Sequence, residues 1–335
     1  MSTNLRGAGI IGIGSYVPDR VITNADLEKI VDTTDEWILS RSGIRERRIA
    51  EGTPASELAV EASLRAMESA SITPDQLDLI ICATITGDMP FPSTACIVQD
   101  KLGANNAGAF DLQAGCSGWV YSFSVAADLV RAGRYERILV VGVDVLTSAC
   151  DWSDRATCVL FGDGAGATIV GPVEPGQGML SSCLGSDGGG AELLKIDAGG
   201  SKRPTSEQTV REGGHFIRME GREVYKFAVK IMGEASIKAL ESCGLSPADV
   251  DLFVPHQANI RIIEAAAARL GLPTDKVFIN VQNYGNTSGA SIPLALDEAY
   301  RAGRIREGEV IVAVGFGAGL TWGSAVLTWT MPTIE

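Results

Sequence analysis

The sequence predicts an α/β protein made of two similar halves, each containing a mixed β-sheet. Two observations support this fold class: strand-like apolar runs alternate with helical patterns, and long stretches of the first half recur in the second. The clearest strand-like runs are RILVVGVDV (137–145), KVFINV (276–281), EVIVAVGFG (309–317) and SAVLTWT (324–330). Sheets of this kind bind ligands at the carboxyl ends of their strands.

The first repeat contains a helix, a turn and the start of a strand. Residues 61–80 read EASLRAMESASITPDQLDLI and residues 234–253 read EASIKALESCGLSPADVDLF, with nine of the twenty positions identical. Each copy begins as an amphipathic helix, is interrupted by Pro74 or Pro247, and ends in an apolar run. The chain is therefore predicted to be internally duplicated.

A second repeat aligns Cys116 with Asn286. The segments 110–134 and 279–304 both end in RAGR, and at the offset of 170 that this ending gives, the two side chains superpose. Both follow a glycine and open an apolar helix, so both are predicted at strand-to-helix turns. The helix after Cys116 is apolar nearly all round, which predicts that it is buried between layers, with its N-terminus at the junction of the halves.

Composition and charge exclude several classes of function. The 335 residues are 45% hydrophobic and carry a net charge of −13 with scattered basic residues, so no nucleic-acid partner is expected. Seven cysteines without a CxxC pair argue against a disulfide framework or zinc site and indicate a reducing compartment. Neither a signal peptide nor a membrane span is expected, because no uncharged apolar stretch reaches about 18 residues. A cytoplasmic protein is therefore predicted.

Cys116 is the candidate nucleophile. It stands at a predicted helix N-terminus, where unpaired N–H groups and the helix dipole favour a thiolate over a thiol. The alternative for any single cysteine is a small buried hydrophobe, and this interpretation suits Cys82, Cys158 and Cys183 better. The flanking glycines and the alignment with Asn286 favour the nucleophile at position 116.

His256, one of only two histidines, follows the apolar run DLFVP at the carboxyl end of a predicted strand. The alternative is a structural role, which is the interpretation for His215. With Cys116 and Asn286, His256 allows two chemistries. In a cysteine hydrolase the His takes the thiol proton and the Asn orients the His. Alternatively, His and Asn both donate hydrogen bonds to one enolate oxygen, which the duplication favours because it makes Asn286 an independent counterpart of Cys116.

Three glycine-rich segments need separate interpretations. VGFGAGLTWG (314–323) suits backbone N–H groups that approach an oxyanion, although a strand-to-strand turn explains its glycines almost as well. GAGIIG (7–12) matches a dinucleotide-binding pattern, but no strand is predicted before it and Pro18 follows where a helix should run. FGDGAGA (161–167) lacks the Lys and Ser/Thr of a phosphate loop, so it is predicted to be a tight turn.

Longer motifs throughout the chain resemble the β-ketoacyl-acyl carrier protein synthase III family, thiolase-like condensing enzymes that initiate bacterial fatty-acid synthesis. The resemblance rests on TNADLEKIVDTTDEWILSRSGIRERRI (23–49), FPSTAC (91–96), the Cys116 loop, DRATCVLFGDGAGA (154–167), VPHQANIRII (254–263), YGNTSGASIP (284–293) and GFGAGLTWGSA (315–325). It implies a five-layered αβαβα fold of two pseudo-symmetric halves, here 1–175 and 176–335, and a homodimer.

The resemblance also implies the catalytic residues. Cys116, His256 and Asn286 form the catalytic set, and Phe316 lies beside the decarboxylation site. The glycine triplet of the family reads GAG in the C-terminal loop of this chain, so Ala318 supplies the second backbone N–H of the oxyanion site. A backbone donor survives that change of side chain.

Further residues are implied to bind substrates. Coenzyme A would be held by three residues: Trp37, Arg41 and Arg155. Phe91 would reach the acyl pocket of the partner subunit. The acidic acyl carrier protein needs a local basic patch on this acidic chain, for which the candidates are Arg261, Arg269 and, by resemblance, Lys226. The two arginines lie about 80° apart around one predicted helix, 259–270.

The implied reaction is a two-stage Claisen condensation. An acyl-coenzyme A primer, expected to be acetyl-coenzyme A, acylates Cys116, and malonyl-acyl carrier protein then loses carbon dioxide and condenses to 3-oxoacyl-acyl carrier protein. No metal or redox cofactor is expected. The alternatives are a condensing enzyme or acyltransferase of a secondary-metabolite pathway, thioester hydrolysis, and an acyl-coenzyme A-binding scaffold, against which the retained Cys116, His256 and Asn286 argue.

Overall fold

The computed structural model describes residues 6–334. Residues 1–5 and 335, which include the first residues of the segment for which no signal peptide is predicted, lie outside the described range. Across this range the strands are β1 (Gly7–Tyr16), β2 (Val21–Thr23), β3 (Glu46–Arg48), β4 (Leu79–Ala83), β5 (Gly108–Leu112), β6 (Ile138–Val145), β7 (Asp163–Val173), β8 (Met179–Ser186), β9 (Leu194–Ile196), β10 (Ile217–Met219), β11 (Leu252–Pro255), β12 (Val310–Gly317) and β13 (Thr321–Thr328).

The α-helices alternate with these strands in the predicted order. They are α1 (Asn24–Leu27), α2 (Asp35–Ser42), α3 (Ala55–Ser69), α4 (Thr94–Leu102), α5 (Gly118–Arg131), α6 (Glu207–Arg211), α7 (Gly221–Ser242), α8 (Ile260–Leu270), α9 (Val281–Tyr284) and α10 (Ser291–Arg301). Among residues 6–334, no helix combines the length and the apolar character that crossing a membrane requires.

Two sheets with matching strand orders confirm the internal duplication. The first sheet has the order β1-β7-β6-β4-β5, and the second has the order β8-β13-β12-β11. The corresponding pairs also run in the same sense: β4 with β6 and β11 with β12 are parallel, while the pairs involving β7 or β13 are antiparallel. The two repeated sequences occupy equivalent places in the halves, as α3 to β4 and as α7 to β11.

Five layers follow from the helix contacts, as the family resemblance implied. Helices α5 and α10 contact strands of both sheets and form the central layer. Helices α3 and α4 cover the outer face of the first sheet, whereas α7, with α8 packed against it, covers the second. The central layer is apolar: Trp119 and Phe123 of α5 are fully buried and stack with ring centroids 5.1 Å apart. The predicted burial of α5 is therefore confirmed.

The segment 276–281 is not a strand, so that prediction is wrong. Its ladder contact with β11 is a single isolated bridge at Val277. The side chain of Gln257 takes the place of a neighbouring strand, because its amide donates to the carbonyl of Phe278 at 3.1 Å and its oxygen accepts from the N–H of Asn280 at 3.0 Å. A side chain that satisfies backbone groups in this way removes the need for a regular ladder.

Two glycine-rich segments lie in strands. GAGIIG (7–12) belongs to β1, which leads into β2 rather than into a helix. FGDGAGA (161–167) runs into β7, so its prediction as a tight turn is wrong. The glycines serve close packing instead: a Cβ on Gly14 would lie 2.5 Å from the backbone of α3, and one on Gly166 would lie 2.6 Å from the backbone of α10.

Candidate active site

Each of the three predicted catalytic residues follows the end of a strand or of a short helix, next to the central layer. Cys116 follows β5 and precedes α5, and His256 follows β11 directly. Asn286 lies between α9 and the turn that starts α10. The turns that carry Cys116 and start α10 contact each other, which brings the two halves together at this point. The three residues therefore lie at the predicted edge of the sheets.

Cys116 lies in the short 3₁₀ turn Gly115–Ser117 that leads into α5. Gly115 has φ +55°, a left-handed conformation that glycine adopts without a steric penalty. The side chain of Cys116 is buried, with 7% of its surface exposed. Burial raises the pKa of its thiol to about 12 and outweighs the favourable helix terminus. The prediction that the helix start favours a thiolate is therefore wrong for the resting site, where Cys116 is a thiol.

His256 is buried and neutral. Burial lowers the pKa of its imidazole to about 3, so the ring is uncharged at neutral pH. Its Nδ1 lies 2.5 Å from the hydroxyl of Ser291, and that hydroxyl oxygen faces the N–H of Gln257 at 3.4 Å. With an N–H directed at its oxygen, the Ser291 hydroxyl is placed to donate to Nδ1, which leaves the proton of the neutral ring on Nε2.

Asn286 is also oriented as a donor. Its side-chain oxygen accepts a hydrogen bond from the N–H of Ser288 at 2.8 Å, so its amide nitrogen faces the other way. Its backbone is held on both sides: its N–H donates to the carbonyl of Leu160 at 2.8 Å, and its carbonyl accepts from the N–H of Gly162 at 3.1 Å. In residues 6–334 Asn286 makes no hydrogen bond to His256, so the relay of a cysteine hydrolase lacks its orienting contact.

The predicted oxyanion donors lie side by side. The end of β12 packs against the Cys116 turn so tightly that a Cβ on Gly315 would lie 3.2 Å from the carbonyl oxygen of Cys116. A Cβ on Gly115 would lie 2.8 Å from the backbone nitrogen of Ala318. Phe316 meets His256 edge to face, with ring centroids 5.6 Å apart. The structure thus brings Cys116, Ala318, Phe316 and His256 to one place.

The three residues predicted to bind coenzyme A also meet. Trp37 and Arg41 lie one turn apart on α2, and Arg155 approaches from the segment before β7. The guanidinium carbons of Arg155 and Arg41 lie 4.8 and 5.6 Å from the centre of the Trp37 indole. Both arginines are exposed, and Arg155 is held by a 2.8 Å hydrogen bond to the carbonyl of Asp32. The group forms a cationic aromatic surface.

The predicted carrier-protein residues differ in their surroundings. Arg261 on α8 lies over the ring of Tyr225 on α7, with its guanidinium carbon 5.6 Å from the ring centre. Lys226 pairs with Glu223 at 2.7 Å, and Arg269 pairs with Glu234 at 3.6 Å. Phe91 lies apart from all of these as a side chain with 84% of its surface exposed.

The comparisons with known proteins agree with this geometry. A family model described as 3-oxoacyl-[acyl-carrier-protein] synthase III matches residues 110–188, which contain Cys116, and its C-terminal model matches residues 240–329, which contain His256 and Asn286. A β-ketoacyl-[acyl-carrier-protein] synthase III from Caldanaerobacter subterraneus is 58% identical over 96% of this chain and 98% of its own length. The chain belongs to the β-ketoacyl-acyl carrier protein synthase III family. It is a condensing acyltransferase with the thiolase-like fold.

Solved structures of synthase III enzymes superpose closely on this fold. The enzyme from Thermus thermophilus is 50% identical, with a TM-score of 0.89 over 96% of this chain and 99% of that one. A priming β-ketosynthase from a polyketide biosynthetic pathway is 39% identical, with a TM-score of 0.91 over 98% and 97% of the two chains. The fold is therefore shared with a synthase III and with a priming ketosynthase of a polyketide pathway.

Sequence reasoning missed several residues that shape this synthase III site. The hydroxyl of Ser291 contacts Nδ1 of His256, and the N–H of Ser288 orients Asn286; both serines lie in the motif YGNTSGASIP (284–293). On α7, Arg222 and Lys230 flank Lys226 at intervals of four residues, so the three share one face. The spacing of these basic residues was readable from the sequence once the helix was assigned.

Proposed function

We propose that this protein condenses an acyl-coenzyme A primer, acetyl-coenzyme A, with malonyl-acyl carrier protein to give 3-oxoacyl-acyl carrier protein. The observation that carries the proposal is the orientation of two buried donors. Ser291 directs the Nε2–H of His256, and Ser288 directs the amide of Asn286, while neither donor engages the other. Two uncharged donors fixed in advance suit an enolate oxygen that develops negative charge.

In the loading half-reaction, the sulfur of Cys116 attacks the thioester carbon of acyl-coenzyme A. The S–C bond to Cys116 forms, the bond to the coenzyme A sulfur breaks, and the thiol proton leaves with coenzyme A. The tetrahedral oxyanion is held by the backbone N–H groups of Cys116 and Ala318, a type of contact that contributes about 3 to 4 kcal/mol to transition-state stability. The acyl group remains on Cys116.

In the condensation half-reaction, the C–C bond to the malonyl carboxylate breaks and carbon dioxide leaves. The electron pair moves onto the thioester oxygen as an enolate, which accepts hydrogen bonds from His256 and Asn286. The carbanion then attacks the acyl carbon, and the Cys116 sulfur departs as a thiolate that takes a proton from solvent. Charge balances without a metal or redox cofactor, so we propose that none is required.

Substrate binding before these steps falls to the cationic aromatic surface around Trp37. An indole face suits stacking against a nucleobase, and exposed guanidinium groups suit phosphates, both of which coenzyme A carries. Arg41 also connects this surface to the site, because its carbonyl accepts a 2.8 Å hydrogen bond from Asn259, the cap residue of α8. We therefore assign coenzyme A binding to Trp37, Arg41 and Arg155.

The whole reaction can be tested with acyl-coenzyme A thioesters of graded length and branching, followed by malonyl-acyl carrier protein. We expect an acyl mass increment on the protein after the first addition, largest for the true primer, and carbon dioxide release with a 3-oxoacyl product after the second. Acyl transfer to water, a hydroxyl or an amine without carbon dioxide release would contradict condensation. A protein that never gains acyl mass would be a binder only.

The similarity to a priming ketosynthase of a polyketide pathway supports one second candidate. In that case the same half-reactions would start a secondary metabolite, and the preferred primer would be longer or branched. The thioester panel separates these candidates, because preference for acetyl-coenzyme A favours fatty-acid synthesis.

Carrier-protein docking is assigned to the basic face of α7 together with Arg261. The chain carries a net charge of −13, so an acidic partner needs such a local patch. Arg222, Lys226 and Lys230 line one side of α7, and Arg261 adjoins them through Tyr225. Among the described residues, Arg222, Lys230 and Arg261 form no ion pair, so their charges remain open to a partner. Arg269 is paired with Glu234, so we assign Arg269 to the margin of this docking surface.

Arg261→Glu is expected to raise the Michaelis constant for malonyl-acyl carrier protein roughly threefold to tenfold at low salt, because reversing a charge at an interface rim mainly affects encounter. The effect should shrink at high salt, and loading from acyl-coenzyme A should change little. Arg134→Glu is the matched control, since that exposed arginine also lies over a tyrosine, at 5.8 Å, beyond the far end of α5. Equal effects of both variants would move the docking surface elsewhere.

A homodimer is proposed from the exposed edge of the first sheet. Within residues 6–334, strand β5 ends that sheet with one side unpaired, and an open edge of this kind favours pairing with another chain. Phe110 on β5 is 38% exposed, and Met89 and Phe91, which lie between β4 and α4, are 48% and 84% exposed. Burying these side chains against a second copy would let Phe91 enter the acyl pocket of the partner. The cytoplasmic location remains a prediction from the sequence.

A further inference from the structure

Ser288 is a buried polar residue in an unfavourable state. It begins the 3₁₀ turn Ser288–Ala290 that leads into α10, and its φ of +50° is a left-handed conformation that non-glycine residues rarely adopt. Its side chain is fully buried. Among residues 6–334 its hydroxyl has no hydrogen bond of normal geometry. A strained backbone and an unsatisfied buried hydroxyl each destabilise the fold, so their presence at the site requires a functional explanation.

The Ser288 hydroxyl is buried close to Cys116 and Asp144. The turn that carries Ser288 contacts the turn that carries Cys116, and the next residue, Gly289, donates its N–H to the carboxylate of Asp144 at 3.0 Å. The Ser288 side chain lowers the pKa of both Cys116 and Asp144. Its backbone N–H is committed to Asn286, as described above, so only the hydroxyl is free to interact. The catalytic sulfur therefore has one neutral side-chain donor beside it.

Asp144, on β6, is fully buried and is held from two sides. One carboxylate oxygen accepts from the N–H of Ile85 at 2.8 Å and from the hydroxyls of Thr84 and Thr86 at 3.1 and 2.9 Å. The other accepts from the N–H of Gly289 at 3.0 Å. Burial raises the pKa of this carboxyl while these donors oppose the shift. Donors on both oxygens stabilise the charged form of the carboxyl group against that shift.

These contacts have opposite effects on the sulfur. The charge of Asp144 disfavours a Cys116 thiolate and so raises the pKa of the thiol, whereas a hydrogen bond from Ser288 lowers that pKa. We propose that the Ser288 hydroxyl is a catalytic group that donates a hydrogen bond to the Cys116 thiolate and turns to Asp144 when the sulfur is a thiol or is acylated. This proposal rests on Cys116 being the nucleophile of the proposed function.

The thiolate occurs twice in the proposed reaction, at attack on the primer and at departure after condensation. Ser288 keeps its own proton in both steps, because the thiol proton leaves with coenzyme A and is replaced from solvent. The hydroxyl thus changes its acceptor without any transfer of charge. Asp144 supplies the alternative acceptor and also fixes the turn through Gly289.

The test measures the rate at which iodoacetamide alkylates Cys116 between pH 6 and 10. The reaction is monitored through the mass of the peptide that contains Cys116. Ser288→Ala should slow alkylation about tenfold at each pH below the thiol pKa, as the loss of a charge-assisted hydrogen bond implies. Ser288→Gly should slow it equally, since glycine accepts the left-handed backbone and removes only the hydroxyl. Asp144→Asn should act in the opposite direction and speed alkylation.

Asp163→Asn is the matched control for a buried carboxylate. Asp163 is also fully buried and accepts from the N–H groups of Ala50 and Thr147, at 2.8 and 2.9 Å, but it does not contact Cys116. Its variant may lose thermal stability, yet the alkylation profile of Cys116 should match that of the wild type. Unchanged rates in both Ser288 variants, or slower alkylation in Asp144→Asn, would overturn the proposal. If the variants alkylate at the expected relative rates but the wild-type protein never forms an acyl-enzyme, the proposed function is refuted and the role of Ser288 is not.

Discussion

Cys116→Ala is expected to abolish the covalent acyl-enzyme and to reduce condensation on the order of 10⁴-fold or more, the scale seen when a catalytic nucleophile is removed. The sulfur is the only atom at this position able to hold the acyl group, and the helix that follows it is packed independently of the thiol. Intact-mass spectrometry after incubation with the preferred acyl-coenzyme A measures the loss directly. The fold should persist, because alanine fills most of the same volume.

The same variant separates the two half-reactions. Decarboxylation of malonyl-acyl carrier protein depends on His256 and Asn286 rather than on the thiol, so Cys116→Ala should still release carbon dioxide. Cys183→Ala is the matched control, because that cysteine is buried to nearly the same extent, with 8% exposed against 7%, but lies on β8. Acyl mass that remains on Cys116→Ala, or disappears from Cys183→Ala, would refute the assignment of the nucleophile.

His256→Ala and Asn286→Ala are each expected to slow decarboxylation about 10²- to 10³-fold, the effect of removing one donor from a developing oxyanion. Acyl loading should fall much less, because the loading oxyanion is held by the N–H groups of Cys116 and Ala318. Single-turnover measurements of acyl mass and of carbon dioxide release give the two rates separately. Both variants should impair the same step, since both donors address one oxygen.

His215→Ala provides the control for loss of a histidine. His215 is exposed and stacks on Phe216, with ring centroids 4.0 Å apart, so neither half-reaction should change in its variant. A hydrolase-like relay makes a different prediction: with His256 as the base for Cys116, loading and decarboxylation would fall together. That outcome would contradict the donor assignment and would require a contact between His256 and Cys116 that activates the thiol.

Much of the fold and the proposed catalytic set could be predicted from the sequence because the duplication is strong. The two repeated helix–turn–strand segments and the alignment of Cys116 with Asn286 locate equivalent turns in both halves. Those turns face one junction because related halves pack about a central pair of helices. The apolar character of its sequence also identified α5 as buried, since a helix that is apolar nearly all round has no face suited to solvent.

The sequence failed where a neighbour distant in the chain decides the outcome. The run 276–281 has the composition of a strand, but the side chain of Gln257 satisfies its backbone instead. The glycines of β1 and β7 resemble a ligand loop and a turn, yet they permit helices to pack closely on the sheets. Local composition cannot show which distant residue will bond to a backbone group, or which element will pack against a glycine.

The α/β duplication could be read from the sequence, and so could the positions of Cys116 and Asn286 at equivalent turns of the two halves and of His256 at the end of a strand. Their chemical states depend on the packing of the folded chain. Burial keeps Cys116 a thiol and His256 neutral, and the hydroxyls of Ser288 and Ser291 are placed beside them by the start of α10. The physical reason is that desolvation and hydrogen-bond direction depend on atoms brought together from separate parts of the chain, which no local pattern records.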